Sequence, residues 1–330
     1  MKYRSLKTDQ GTIEYIELDS SVEITGYRGR DVKVKVPDII DEKPVTRVRK
    51  KAFLSAKTVR NLEIPYSVTA VDDFAFAFCS NLKTISVSEK LTEIGLSIFK
   101  DCDALEAIYV LTETERGTGS SPMSVEQGTG SSQATVEQGT GSYGKREHDI
   151  AHLLASTIGI LNSPFLLTPD KVYDPEWLIQ FDKRVMNAME IDDMEGYSKL
   201  LLCGEEDYGS DENKPDVYKS NRIKAKVRLC MLRLLNDYDL PCKNRDYLVK
   251  YLQCHKKGEM SEETWQVVLN EHGDDREYYD FLMEIDCVNK SNLPDMLIDM
   301  KDSHAEMKAY LLKQGETSKS ENSFFEDLEL

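Results

Sequence analysis

The chain has 330 residues, room for two ordinary domains, and its 40% hydrophobic content is enough for globular cores. A net charge of −17 argues against general nucleic-acid binding. No stretch approaches the roughly 20 apolar residues that a membrane span needs, and the opening MKYRSLKTDQGTIEY holds no apolar run that could serve as a signal peptide.

An opening cap is expected over residues 1–44, and three segments of equal length then line up end to end: 45–67, 68–90 and 91–113. Val45, Val68 and Leu91 begin the copies. Phe53, Phe76 and Phe99 share a column, as do Ala56, Cys79 and Cys102. Val59, Leu82 and Leu105 form another, followed by Leu62, Ile85 and Ile108, then Ile64, Val87 and Val110. A fixed period of this length marks a solenoid. Each copy is too small to bury its apolar face alone, so the copies stack and share a core. Within Leu82-Lys83-Thr84-Ile85-Ser86-Val87 a short strand of period two is expected to bury Ile85 and Val87 and to expose Thr84 and Ser86.

The pattern VTxI…AFxxCxxLxxIxI resembles the BspA-type leucine-rich repeat over roughly residues 20–113, with ITGYRG (24–29) and VPDIIDEKPVTRV (36–48) similar to the family's first coil. Ser67 and Lys90 close their copies without the usual glycine or proline, and Arg49 stands where Gly95 stands in the third copy. The resemblance implies a bacterial protein that recognises other proteins or adheres at a surface. It implies no chemistry. With the charge and the lack of a long apolar run, the expected partners are other proteins, without a cofactor, a nucleic acid or a membrane.

The expected contact rows are Arg60, Asn61 and Glu63; Lys83, Thr84 and Ser86; and Glu106, Ala107 and Tyr109. A second candidate surface is basic. Residues 28–60 hold 11 Lys and Arg, including Arg47, Arg49, Lys50 and Lys51, against four acids, a net of +7. Residues 1–113 carry 17 basic and 18 acidic side chains, so the remaining 217 carry −16 of the total. The two halves of the chain either attract each other, or the basic face meets an acidic partner. Uncovered, the last coil would expose Leu105, Ile108 and Val110.

GTGSSPMSVEQ (117–127), GTGSSQATVEQ (128–138) and GTGSYGK (139–145) form an 11-residue tandem repeat. With few apolar side chains to offset ordering entropy, residues 114–146 are expected to be a flexible tether of roughly 30 Å reach.

Residues 147–315 turn helical. PEWLIQFDKRVMNAM, NRIKAKVRLCMLRLLNDY, SEETWQVVLNEHG and NLPDMLIDMKD each precede a second amphipathic string: DMEGYSKLLLCG, NRDYLVKYLQCH, DREYYDFLMEID and HAEMKAYLLKQG. These pairs look like degenerate ankyrin-type repeats without the TPLH-like turn, and a plain helical bundle is the alternative. Ser261 before Glu262 and Glu263 is expected to cap a helix, and Gly204 and Gly315 to end helices. EEDYGSDENKPD (205–216) reads as a surface loop. The acidic tail over 316–330, with Phe324, Phe325, Leu328 and Leu330, reads as disordered or as a docking segment. The expected fold is mixed α and β: a short β-solenoid followed by an all-α helical-repeat domain.

HDIAH (148–152) places His148 and His152 one turn apart on a helix face, the spacing zinc uses. Asp149 replaces the glutamate base of HExxH, Ala155 and Ile158 replace the metzincin continuation, and Glu176 could in principle supply a third ligand. No phosphate loop, GxSxG or carboxylate pair is present. The seven cysteines lack CxxC spacing, which suits a reducing cytosol, and Cys79 and Cys102 read as small core residues. The favoured reading is a non-enzymatic cytoplasmic adaptor. A metallohydrolase centred on HDIAH and a surface adhesin are the alternatives.

Overall fold

A computed structural model describes residues 2–113, 143–161, 163, 166–198 and 214–314. Most of the expected tether, Gly204 and most of the acidic insertion, Gly315 and the acidic tail lie outside these residues. The fold is mixed α and β, a β-solenoid followed by a helical region. The chain divides into two compact units, Met1–Arg184 and Val185–Leu330.

The first unit opens with a three-stranded antiparallel meander: β1 (Lys2–Lys7), β2 (Gly11–Glu17) and β3 (Val22–Gly29). The chain then winds into coils, and each turn lays one segment on each of two parallel ladders. On one ladder β3 pairs with β6 (Lys43–Val48), then β8 (Ala70–Val71), then β10 (Glu93–Ile94). On the other, β4 (Lys33–Lys35) pairs with β7 (Asn61–Glu63), β9 (Thr84–Ser88) and β11 (Ala107–Leu111). The short β5 (Ile39–Ile40) forms a hairpin with β6. From β7 onward the register advances by the repeat length: Leu62 lies beside Ile85, and Ile85 beside Ile108.

The columns become stacks inside the coils. Tyr27, Phe53, Phe76 and Phe99 form an aromatic ladder with centroids 5.6, 5.8 and 5.4 Å apart. Phe53 and Phe76 are buried, as are Leu62, Leu82, Ile85 and Ile108. Each coil turns corners through two left-handed residues. Lys51, Phe74 and Ser97 occupy one corner (φ 62°, 55° and 53°), and Ser55, Phe78 and Asp101 the other (58°, 63° and 54°). Neither corner uses glycine, which is why the sequence gives them no punctuation.

The last coil does not end in open apolar surface. Helix α1 (Tyr143–Gly159) packs against β11 and buries Ile150, Ala151, Leu153 and Leu154. Tyr173 donates its hydroxyl to Val110 O at 3.3 Å, and Arg146 donates to Tyr173 O at 2.5 Å. Helix α2 (Pro175–Glu190) follows, with Trp177 stacked on Phe181 at 5.4 Å and donating to Leu166 O. The expected tether over 114–146 is therefore helical from Tyr143 onward. Residues to Arg184, assigned from sequence to the helical domain, belong to the coil unit.

The second unit is built of helix pairs: α3 (Pro215–Leu235) with α4 (Cys242–Cys254), α5 (Glu263–Glu271) with α6 (Arg276–Glu284), and α7 (Leu293–Asp299) with α8 (305–314). Apolar anchors face inward: Val227, Leu252, Trp265, Tyr279, Leu282 and Leu311 are buried. Arg233 is fully buried yet satisfied, donating to Asn236 O and Tyr238 O and so closing the end of α3. The second and third pairs are tied by Asp299, which accepts from Trp265 Nε1 at 2.9 Å and from Lys257 Nζ at 2.8 Å.

Candidate functional site

The four-stranded ladder presents its outward side chains in rows fixed by register. Lys33, Asn61, Thr84 and Ala107 stand in one row, and Lys35, Glu63, Ser86 and Tyr109 in the other. Asn61 Nδ2 donates to Thr84 Oγ1 at 2.7 Å. Lys33 and Lys35 clasp Glu63 at 2.9 and 3.2 Å. Burial pushes the Glu63 carboxyl up, but the two lysines outweigh it and hold it below the usual carboxylate range. Burial, aided by the Glu106 charge, pushes the Tyr109 hydroxyl up. Arg60, Lys83 and Glu106 sit just before their strands and are exposed, with Lys83 paired to Glu106 at 2.7 Å.

Three residues expected to face solvent do not. Ser86 is 0% exposed, Ala107 1% and Glu63 6%. The alternation within the strand holds, but accessibility is set across strands. The small Ser86 lies between Glu63 and Tyr109, whose larger side chains close over it. Lys33 and Lys35 were missed as members of the face. The β5–β6 hairpin lengthens the first coil, so these lysines stand further from Asn61 and Glu63 in sequence than the repeat period would place them.

The basic residues at 47–51 lie in and just after β6 on the other ladder, and the charges of Arg47, Arg49 and Lys50 are met locally. Arg47 reaches Asp72 at 2.6 Å and, across the small Ala70, Glu93 at 2.5 Å. Arg49 pairs with Glu23 at 2.5 Å, and Lys50 lies 3.6 Å from Asp73. Lys51 is exposed at a left-handed corner. The run of positive charge along the sequence is thus a mixed-sign face in space, because the coil period brings Glu23, Asp72 and Glu93 into the same rows. A shallow groove over this face is lined by Tyr3, Ile16, Glu23, Arg47, Arg49 and Asp72, among others.

His148 and His152 share a helix face as the spacing requires, but their rings pack against each other, tilted by 34° with centroids 4.2 Å apart. Asp149 is 3% exposed, and only one of its oxygens approaches His148 Nδ1, at 3.4 Å. The pair sits inside α1, past its first turn. Among the described residues no three histidine, cysteine or carboxylate side chains converge as a metal would need. Burial pushes the His152 imidazole down and His148 adds to this, against the opposing charges of Glu106 and Asp149. The unfolded chain protonates this residue near its ordinary pKa of 6.5, while the folded chain resists the proton. The His152 contribution to stability is whole above that pH and is lost as the pH falls toward the lower folded value. The midpoint of thermal unfolding should therefore drop as the pH falls below about 6.5, and His152→Gln should flatten that slope in calorimetric scans.

In the second unit, Ser261 is not the expected helix cap. Residue Glu262 caps α5 without a side-chain bond, and the Ser261 hydroxyl instead lies 2.7 Å from His255 Nδ1 and donates to Glu263. A hydrolytic triad needs the carboxylate to orient the imidazole and the imidazole to activate the hydroxyl. Here the hydroxyl stands between the other two, so the cluster orders the turn.

The match to a repeat family agrees with the coil geometry. Residues 12–118 match the model of the BspA type Leucine rich repeat region in six copies. Among solved structures, a leucine rich repeat protein of T. pallidum is 31% identical over 29% of this chain and 46% of that chain, with a TM-score of 0.28. A leucine-rich repeat protein from Bacteroides ovatus ATCC 8483 is 26% identical over 32% of this chain and 29% of that chain, with a TM-score of 0.29. A leucine rich cell surface protein from Faecalibacterium prausnitzii A2-165 is 21% identical over 33% and 30% of the two chains, with a TM-score of 0.27. This chain thus spans less than half the length of each of these three structures. The comparison with curated proteins gave no match.

Proposed function

We propose that the coil unit is a protein-recognition module whose contact face is the outward side of β4, β7, β9 and β11. Leucine-rich repeats of this kind point to a role in protein interaction or surface binding. The observation that supports this particular face is the in-register ladder from Lys33 and Lys35 to Tyr109. It combines basic, acidic, amide, hydroxyl and aromatic groups on a rigid backbone, the mixture that supplies binding hot spots with a polar surround. Its side chains are held by each other, so little entropy is lost on docking. The helix pairs of the second unit offer a second surface, and the chain as a whole reads as an adaptor that holds two partners.

The test is affinity capture with a triple variant, Lys35→Glu, Thr84→Arg and Tyr109→Ala, against lysate of the source cells. A loss of at least tenfold in captured partner is expected, while Lys50→Ala on the opposite ladder leaves capture unchanged. Equal capture by the triple variant and the parent would remove this face from the reading.

A further inference from the structure

Cys79 and Cys102 occupy one column in adjacent coils, one repeat apart. Their thiols point the same way. Cys79 Sγ donates to Phe53 O at 3.1 Å and Cys102 Sγ donates to Phe76 O at 3.2 Å, each bond running back 26 residues. The two sulfurs are thus translated copies of one another along the stack. Just before them the two coils are joined through the backbone, Phe76 N donating to Ile98 O and Phe78 N to Lys100 O, and segments bonded in this way lie about 4.8 Å apart, inside the roughly 4.4–6.8 Å between Cα atoms that a disulfide bridges. The phenylalanine rings three positions upstream stack within the same range, with Phe53, Phe76 and Phe99 centroids 5.8 and 5.4 Å apart.

Access differs between the two cysteines: Cys79 is 1% exposed, whereas Cys102 is half-buried. The first coil carries Ala56 at this position, so only the second and third coils can be joined. Elsewhere among the described residues, Cys230 and Cys287 are buried, and burial pushes both thiols up. Cys242 and Cys254 are exposed at the two ends of α4.

We propose that Cys79 and Cys102 form a modification site, closing to a disulfide that staples the second coil to the third when the protein meets a small-molecule disulfide such as oxidised glutathione. Cys79 is closed to glutathione, so access decides the order and the half-buried Cys102 reacts first. Its thiolate attacks one glutathione sulfur, and the other glutathione leaves as a thiolate with the electron pair of the broken bond. The Cys79 thiolate then attacks Cys102 Sγ and expels the second glutathione thiolate. One disulfide is reduced and one is formed, and the two cysteine protons end on the two released glutathiones. The bonds given up, S–H to Phe53 O and Phe76 O, are weak donors' bonds and offer little resistance. The staple falls at the end of the stack that α1 covers, so it would fasten the last coil to the rest.

The experiment treats the full-length protein with oxidised glutathione and maps peptides without reduction. The expected result is a peptide pair joined through Cys79 and Cys102 and lighter by two hydrogens. With it comes a rise of about 5 °C or more in the melting of the coil unit, reversed by dithiothreitol, because the link closes a loop in the unfolded chain. Cys102→Ala, which copies the first coil, should block both glutathione uptake in this column and the melting shift. Cys79→Ala should leave a mixed disulfide stranded on Cys102. Free thiols at both positions after exhaustive treatment would overturn the proposal. So would a mixed disulfide on Cys102 that Cys79 never resolves, or a link from either residue to any other cysteine.

Discussion

A fragment of residues 1–190 stays monomeric and melts cooperatively, whereas a fragment of residues 1–113 aggregates or oligomerises. The difference lies in α1, which lies on β11 and carries Ile150, Leu153 and Leu154 into the interface region at 2%, 0% and 0% exposure. Beneath it, Ile108 and Val110 are 1% and 2% exposed. Burying each such side chain contributes about 1.5–3 kcal/mol. Five of them approach about 10 kcal/mol, the size of a whole domain's net stability. A coil stack cut at Glu113 exposes that apolar flank beside the unpaired edge of β11, the two features that drive association. Size-exclusion chromatography with light scattering reads the outcome. A monomeric 1–113 fragment that melts at the temperature of the longer one would show that α1 is dispensable.

Phe76→Ala lowers stability by about 3–5 kcal/mol, the largest expected effect of any single substitution in the coils. Its ring is fully buried and packs between Phe53 and Phe99 at 5.8 and 5.4 Å, so its removal breaks two ring contacts and leaves a cavity in the middle of the ladder. The neighbouring coils cannot close that cavity, because their separation is fixed by the strand hydrogen bonds on both sides. Phe99→Ala removes one ring contact only and costs less. Urea unfolding followed by circular dichroism ranks the two. Equal losses, or a loss under about 1 kcal/mol at Phe76, would mean that the ladder is not a continuous stack.

The coils were legible because their signal is local and repeated. Each apolar column recurs at one fixed period, and β7, β9 and β11 lie where the Leu62, Ile85 and Ile108 column placed them. The helix pairs were legible for a similar reason: PEWLIQFDKRVMNAM and NRDYLVKYLQCH alternate apolar and polar side chains with helical period, and both coincide with helices. What stayed hidden depends on neighbours distant in sequence. The burial of Ser86 follows from Glu63 and Tyr109 on the flanking strands, and nothing in Thr84-Ile85-Ser86 itself signals it. The basic residues Arg47, Arg49 and Lys50 have their charges met by Glu23, Asp72 and Asp73, which only the winding of the chain makes adjacent. Helix α1 was readable as a helix. Its role as the cover of the last coil was not, because an apolar helix face does not name the surface it will meet. The left-handed corners at Phe74 and Phe78 escaped because the residues there are not glycine.

The contact face itself is reached most directly by hydrogen–deuterium exchange on the full chain, with and without the partner recovered by affinity capture. The account predicts added protection in peptides spanning residues 61–63, 84–86 and 107–109, with the opposite ladder at Arg47 to Lys50 unchanged. Protection confined to that opposite ladder, to the β1–β3 meander or to the helix pairs, with the four-stranded face unaffected, would contradict it.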